Sequence, residues 1–311
     1  MKTGVLLIAH GTVDALDELP EFLAKIRRGH AAPPELLAEV RRRYEAIGGQ
    51  SPLTSISRSL AAKLEHKLGL PVRLAMRLWR PYPREVLEEL AKEGVTRVVV
   101  VPLAQHSASV YADAVKEAAA ALVSEGGPTI SLACASNWGQ NQTLLAAYAN
   151  AIVRATEGIP KDEHRLTTVV MSAHSLPKFI IDAGDPYERE FRASAASIAA
   201  ALPKDGPKHV VAFQSQGMGK GPGGKPMEWL GPDLVTTLDA IAKGGDKHVV
   251  VAPVGFLADH VEILYDLDIE ARGWANERKL GFSRTDSLND GDALVDALAE
   301  VARPLIAQGA G

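Results

Sequence analysis

The chain has 311 residues, a hydrophobic content of 46% and a formal net charge of −4. This is enough length and apolar material for one large or two medium cores, and the mild negative balance gives no overall attraction to nucleic acid or to an anionic membrane. The single cysteine, Cys134, excludes a disulfide or a multi-cysteine metal or iron–sulfur site within one chain, and no apolar run approaches the ~20 residues of a bilayer span.

In chain order, "MKTGVLLIAHGT" carries a short apolar run ended by His10 and Gly11. It lacks the longer apolar stretch and small-residue cleavage site of a signal peptide, so it reads as a first strand in a cytoplasmic protein. "IRRGH" sets Arg27 and Arg28 at a helix end beside Gly29, where guanidinium forks can hold carboxylates. That points to an acidic small molecule. "PPELLAEVRRRYEAIGG" predicts a helix with Pro34 in its first turn, Leu36, Leu37, Val40, Tyr44 and Ile47 on one stripe, and Gly48 or Gly49 as its stop. Together with residues 5–9, β-branched runs at 72–76, 97–103, 129–133, 166–172, 209–215 and 248–254 predict strands. Continuous apolar strands alternating with helices imply parallel sheets covered on both faces, an α/β fold.

A weak internal repeat divides the chain. "VLLIAHGT" is similar to "TVVMSAHSLP", and "TRVVVVPLAQHSAS" to "KHVVVAPVGFLADH", so two similar lobes are expected. The break should fall within "SNWGQNQ" (136–142), giving an N-terminal lobe over 1–140, a C-terminal lobe over 141–289, and a C-terminal helix over 290–311 packing back on the first lobe. His10, His106, His174 and His260 all follow repeat strands. Ligand crevices of such sheets lie beyond the carboxyl ends of strands, so the cleft between lobes is the expected site.

His174, in "MSAHSLPKFIIDAGDPY", leaves a predicted strand into a turn. Its neutral imidazole suits a proton acceptor or metal ligand, although bonding a turn carbonyl would place it equally well. "DHVEILYDLDIE" (259–270) holds five acidic residues. In a regular α-helix Glu262, Asp266 and Glu270 would stack on one face, each like-charge pair costing roughly 0.2–0.5 kcal/mol. Few basic residues lie at i±4, so the column invites a cation. "GMGKGPGGKP" (217–226) fits a phosphate-loop spacing, but Pro226 stands where that motif needs Ser or Thr. A loop lining the cleft is the better reading.

These pieces resemble the ferrochelatases, class II chelatases that insert Fe²⁺ into a porphyrin in haem biosynthesis. The likeness rests on "RYEAIGGQSPL" (43–53), "SAHSLPKFIIDAGDPY" (172–187), "FQSQG" (213–217), "WLGPD" (229–233) and "VGFLADHVEILYDLDIE" (254–270), in family order through nearly the whole chain. The resemblance implies two Rossmann-like doubly wound lobes with parallel four-stranded sheets, the chelatase-like fold. It makes His174 and Glu262 the catalytic pair and metal ligands. Asp266 and Glu270 match further acidic residues that form a path or regulatory site for divalent cations, with Arg43 nearby, and the acidic segment is a π-helix.

Arg27, Arg43, Tyr44 and Ser51 match porphyrin-contacting positions of the soluble bacterial members. The "IRRG" turn is particularly similar to the coproporphyrin III subgroup, whose substrate has four carboxylates where protoporphyrin IX has two. His10 stands where that subgroup usually has Tyr facing the iron, so it is a porphyrin-side residue and a candidate axial ligand. The resemblance further implies Fe²⁺ as substrate, no organic cofactor, no iron–sulfur extension, no membrane-anchoring tail and a soluble monomer. Two other readings share this fold: a cobalt or sirohydrochlorin chelatase, and a non-enzymatic haem carrier using His10.

Overall fold

The computed structural model describes residues 2–217 and 226–308. Most of the glycine-lysine stretch therefore lies outside the described residues. Two compact units are formed, one from Met1–Thr143, Ala258–Val261 and Asn289–Gly311, the other from Leu144–Leu257 and Glu262–Leu288.

In the first unit, β1 (Thr3–Ala9), β2 (Val72–Met76), β3 (Arg97–Pro102) and β4 (Ser131–Cys134) make a parallel sheet in the order β2-β1-β3-β4. Its helices are α1 (Leu19–Ile26), α2 (Pro34–Ala46), α3 (Leu53–Leu68), α4 (Pro83–Lys92), α5 (Ala108–Ser124) and, from the chain's end, α12 (Asp292–Ala307). The helix α6 (Gln142–Thr156) bridges the point where the units divide.

The central strands β1 and β3 are buried throughout their apolar length, because α4 and α5 cover one face. α12 packs on α3 and β3, with Arg97 Nη2 donating to the Leu305 carbonyl at 2.7 Å. A satellite cluster of Val13, Leu19, Phe22, Tyr44 and Trp79 gathers α1 and α2, where Phe22 meets Trp79 edge-on at 5.7 Å between ring centroids. The α2 stripe ends at Gly48 and Gly49, both at positive φ, as the glycine pair predicts.

The second unit repeats the plan. β5 (Thr167–His174), β6 (Lys208–Gln214), β7 (His248–Ala252) and β8 (Gly281–Arg284) are parallel in the order β6-β5-β7-β8. Strands β1 and β5 thus hold equal places in their sheets, and so do β3 and β7, as the internal repeat implies. The helices are α7 (Lys178–Asp182), α8 (Tyr187–Ala201), α9 (Leu234–Lys243), α10 (Val261–Leu264), a π-helix over Asp266–Ala271, and α11 (Arg272–Glu277). Strand β8 is the one element the run analysis omits: "GFSR" has four residues, a half-exposed edge position and little apolar content.

The π-helix decides which way the acidic side chains face. Ile263, Leu267, Ala271 and Ala275 are all fully buried on the second sheet, a spacing of four repeated three times. In an α-helix each such step overshoots a full turn by about 40°, so the stripe would drift by about 120°. One extra residue per turn, marked by the 3.0 Å bond from the Glu270 amide to the Tyr265 carbonyl, takes back about 100° of it. The stripe stays on the core, and Glu262, Asp266 and Glu270 keep their place one residue ahead of it.

Candidate active site

Strand β5 is buried along its length and surfaces only at its last residue, His174. Several bonds hold that end of the strand still. The Tyr187 hydroxyl donates to the His174 carbonyl at 2.9 Å, the Ser175 amide donates to the Gln214 carbonyl at 2.7 Å, and the Gly255 amide donates to the Ser172 carbonyl at 2.9 Å. Gly255 is required here: a Cβ on it would lie 2.4 Å from the Ala173 Cβ.

The imidazole of His174 meets the predicted acidic residue directly. Its Nδ1 lies 3.0 Å from Glu262 Oε2, with the two side chains 35% and 34% exposed. Two atoms are thus joined, while access from outside remains. Burial alone would push the His174 pKa down, but the Glu262 carboxylate, by charge and hydrogen bond, and the Asp266 charge beyond it raise it above the usual histidine value. The pair therefore holds a proton more firmly than a free imidazole does. It can surrender a proton when a cation arrives and then accept one from a substrate N–H.

Asp266 is 6% exposed and accepts the Ser215 hydroxyl at 2.5 Å. Ser215 sits at φ 60, a left-handed conformation that costs a non-glycine residue about 1 kcal/mol or more and is held just past the end of β6. The residue before it, Gln214, is 4% exposed; it accepts from Ser172 Oγ at 2.7 Å and donates through Nε2 to the Glu262 carbonyl at 2.8 Å. Gln214 and Ser215 bond the Glu262 carbonyl and the Asp266 carboxylate, contacts that spacing alone does not find, although the "FQSQG" motif contains both residues.

Two further acidic residues, Asp268 and Asp259, have partners distant in sequence. Asp268 is bound by Arg284, and Asp259 is paired with Asn289 through Oδ2 to Nδ2 at 3.0 Å. Counting basic residues at i±4 misses both, because the compensation comes from distant sequence. Glu270 lies half-buried at the far part of the π-helix. Among the described residues no three His, Cys, Asp or Glu side chains converge closely enough to cage an ion. The couple is an open pair.

The other predicted residues belong to the first unit. His10 is exposed at the end of β1, its Nδ1 3.3 Å from the Tyr111 hydroxyl. Arg27 caps α1 with Arg28 and Gly29 following at positive φ, and the half-exposed Arg43 pairs through Nε with Glu39 at 2.8 Å. Tyr44 and Ser51 differ from a porphyrin-contact reading. Tyr44 is 2% exposed with its hydroxyl 2.8 Å from Thr12 Oγ1, and Ser51 is 5% exposed with its Oγ accepting the Leu53 amide. His106 also departs from the exposed-crevice expectation, being 2% exposed; burial pushes its pKa down to about 4.

Residues 2–305 match the family described as Ferrochelatase. A ferrochelatase of Acidobacterium capsulatum is 36% identical, with 97% of this chain and 94% of that protein covered. A coproporphyrin III ferrochelatase of Bacillus subtilis is 32% identical, with 96% of each covered. In structure the chain is similar to SirB from Bacillus subtilis with Fe³⁺, at a TM-score of 0.63 and 14% identity over 99% of this chain and 97% of that one, a likeness of fold. The chain belongs to the ferrochelatase family, enzymes of porphyrin metallation for which Fe²⁺ is a substrate.

Proposed function

We propose that this ferrochelatase inserts Fe²⁺ into coproporphyrin III, with His174 and Glu262 as its catalytic pair. The observation that carries the assignment of the pair is the 3.0 Å contact between His174 Nδ1 and Glu262 Oε2 at the carboxyl end of a central strand. Metallation removes two pyrrole N–H protons and strips water from the cation, so it needs a base near neutral pH and an oxygen ligand for a hard-to-borderline metal. His174 takes the pyrrole protons one at a time, releasing each to solvent, and Glu262 receives the metal. Asp266 and Glu270 lead Fe²⁺ toward Glu262 and form a second divalent-cation site.

The preference for coproporphyrin is supported by the "IRRG" turn with Arg27, by Arg43 as a second propionate partner, and by relatives that carry that substrate in their names. Tyr44 and Ser51 act through the wall that presents these arginines, and His10 faces the porphyrin. The enzyme works as a cytoplasmic monomer without organic cofactor or iron–sulfur cluster; no helix among the described residues is long and apolar enough to cross a membrane.

Anaerobic Fe²⁺ insertion followed by absorbance, with coproporphyrin III and protoporphyrin IX in parallel, tests the proposal. Faster turnover of coproporphyrin that is lost in Glu262→Gln and His174→Ala is the expected result. Preference for protoporphyrin removes the propionate argument, and turnover unaffected by both substitutions removes the catalytic pair. Haem binding without turnover would favour a carrier in which His10 holds the iron.

A further inference from the structure

Asp268 belongs to neither the acidic column nor the buried stripe of the π-helix, and its partner is unusually complete. Arg284 donates Nε to Oδ1 at 2.8 Å and Nη2 to Oδ2 at 2.9 Å, while its Nη1 reaches the Thr285 carbonyl at 3.0 Å. The guanidinium side chain is 12% exposed and the carboxylate 28%. A two-pronged, largely desolvated bond of this kind fixes orientation as well as distance.

Its place in the sheet gives the bond a consequence. Arg284 ends β8, one edge of the second sheet, and Ser215 follows β6, the opposite edge. The π-helix is therefore tied at Asp268 to one edge and at Asp266 to the other, with Gln214 holding the Glu262 carbonyl before it. A π turn is a rare one-residue insertion in an α-helix. If it relaxes to α geometry, residues after it rotate by about 100° relative to those before it. Each step of the Glu262, Asp266 and Glu270 column would then overshoot a full turn by about 40°, swinging Glu270 about 80° out of line with Glu262.

We infer that Arg284 is a positioning residue for metal entry: by clamping Asp268 it holds the π turn in the register that keeps Asp266 and Glu270 in line with Glu262. The inference rests on the roles proposed above for those carboxylates. Asp268 on this view is an anchor and takes no metal.

The test compares Arg284→Gln, Asp268→Asn, the double variant and Arg284→Lys with the unaltered enzyme, by hydrogen–deuterium exchange across residues 258–280 and by KM for Fe²⁺ and porphyrin separately. Each single neutralisation should speed exchange within 266–271 and raise the KM for Fe²⁺ about tenfold, with the porphyrin KM little changed; the double should be no worse than either single, as expected for one coupled pair. Arg284→Lys should recover part of the loss. General destabilisation would instead speed exchange everywhere and lower kcat without moving the Fe²⁺ KM, and that pattern, additive singles, or unchanged exchange overturns the clamp. Should Glu262→Gln retain full activity, the catalytic reading fails separately, and local exchange in the Arg284 variants still decides whether the π register depends on this pair.

Discussion

Gly255→Ala places one methyl group where the loop after β7 crosses β5, against Ala173 and next to His174, the proposed catalytic base. The added Cβ would lie 2.4 Å from the Ala173 Cβ and 2.6 Å from the Ala173 Cα, against an ordinary carbon contact of about 3.5–4.0 Å. Relief requires a movement of about 1 Å or more. Neither side can yield by rotating a side chain, since Ala173 is fully buried and one of the two contacts is with backbone. The loop must lift, stretching the 2.9 Å bond from its amide to the Ser172 carbonyl.

Overpacking of this kind costs about 1–3 kcal/mol, which lowers Tm by a few degrees at about 2–4 °C per kcal/mol for domains of ~150–250 residues. The loss of activity should be larger than the loss of stability. The same loop leads into Glu262, and a displacement near 1 Å at a reacting group can cost about 10²-fold in rate. Thermal unfolding and the Fe²⁺-insertion kcat measure the two effects. Gly273→Ala is the matched control: it lies in α11, meets nothing within 4 Å, and should raise stability by about 0.5–1 kcal/mol through helix propensity. Wild-type Tm and kcat in Gly255→Ala would refute the steric reasoning.

Further expectations concern charge. Because the carboxylates hold the His174 pKa above its ordinary value near 6.5, its base form grows only as pH rises through that raised value. Insertion should therefore climb as pH rises through a value above 6.5, and Glu262→Gln should move the His174 titration downward when followed by NMR, whatever its effect on rate. His106 has the opposite sign: its pKa, depressed to about 4 by burial, leaves stability intact above pH 6.5 and removes up to about 3 kcal/mol as pH falls from 6.5 to 4. His106→Gln should flatten that acid limb in urea titrations. Ser215→Ala withdraws the donor from the buried Asp266 carboxylate; a cost of about 1–3 kcal/mol and a raised Fe²⁺ requirement should follow, checked by denaturation and by KM.

The parallel α/β architecture was legible because its strands are continuous apolar runs and because the two halves repeat one another in order. β8 was not, since an edge strand of four residues carries almost no burial pattern. The same limit applies at the site. His174 could be read from its place after a strand, but the partners that make it chemically distinct lie 88 residues away at Glu262 and at the end of β6. Tyr44 and Ser51 show the converse limit: a matching motif locates a residue in the chain but does not say how deeply its side chain is buried, and both are buried here.

The π turn was better encoded than a helical reading of 259–270 suggests. An acidic period of four over residues 262–270 and an apolar period of four over 263–275 run side by side, and a 3.6-residue helix cannot keep both columns straight. A repeated spacing of four in both a charged and a buried set therefore predicts an added residue in the turn. It also explains why so many carboxylates are tolerated in one short segment. Asp259, Glu262, Asp266 and Asp268 each bond a different group, Asn289, His174, Ser215 and Arg284, and within the π turn Asp266 and Asp268 go to separate partners. Charge repulsion that would cost a regular helix several tenths of a kcal/mol per pair is offset bond by bond. Only at the proposed cation site does negative charge need to remain open, and there the Glu262 side chain is still about a third exposed beside His174.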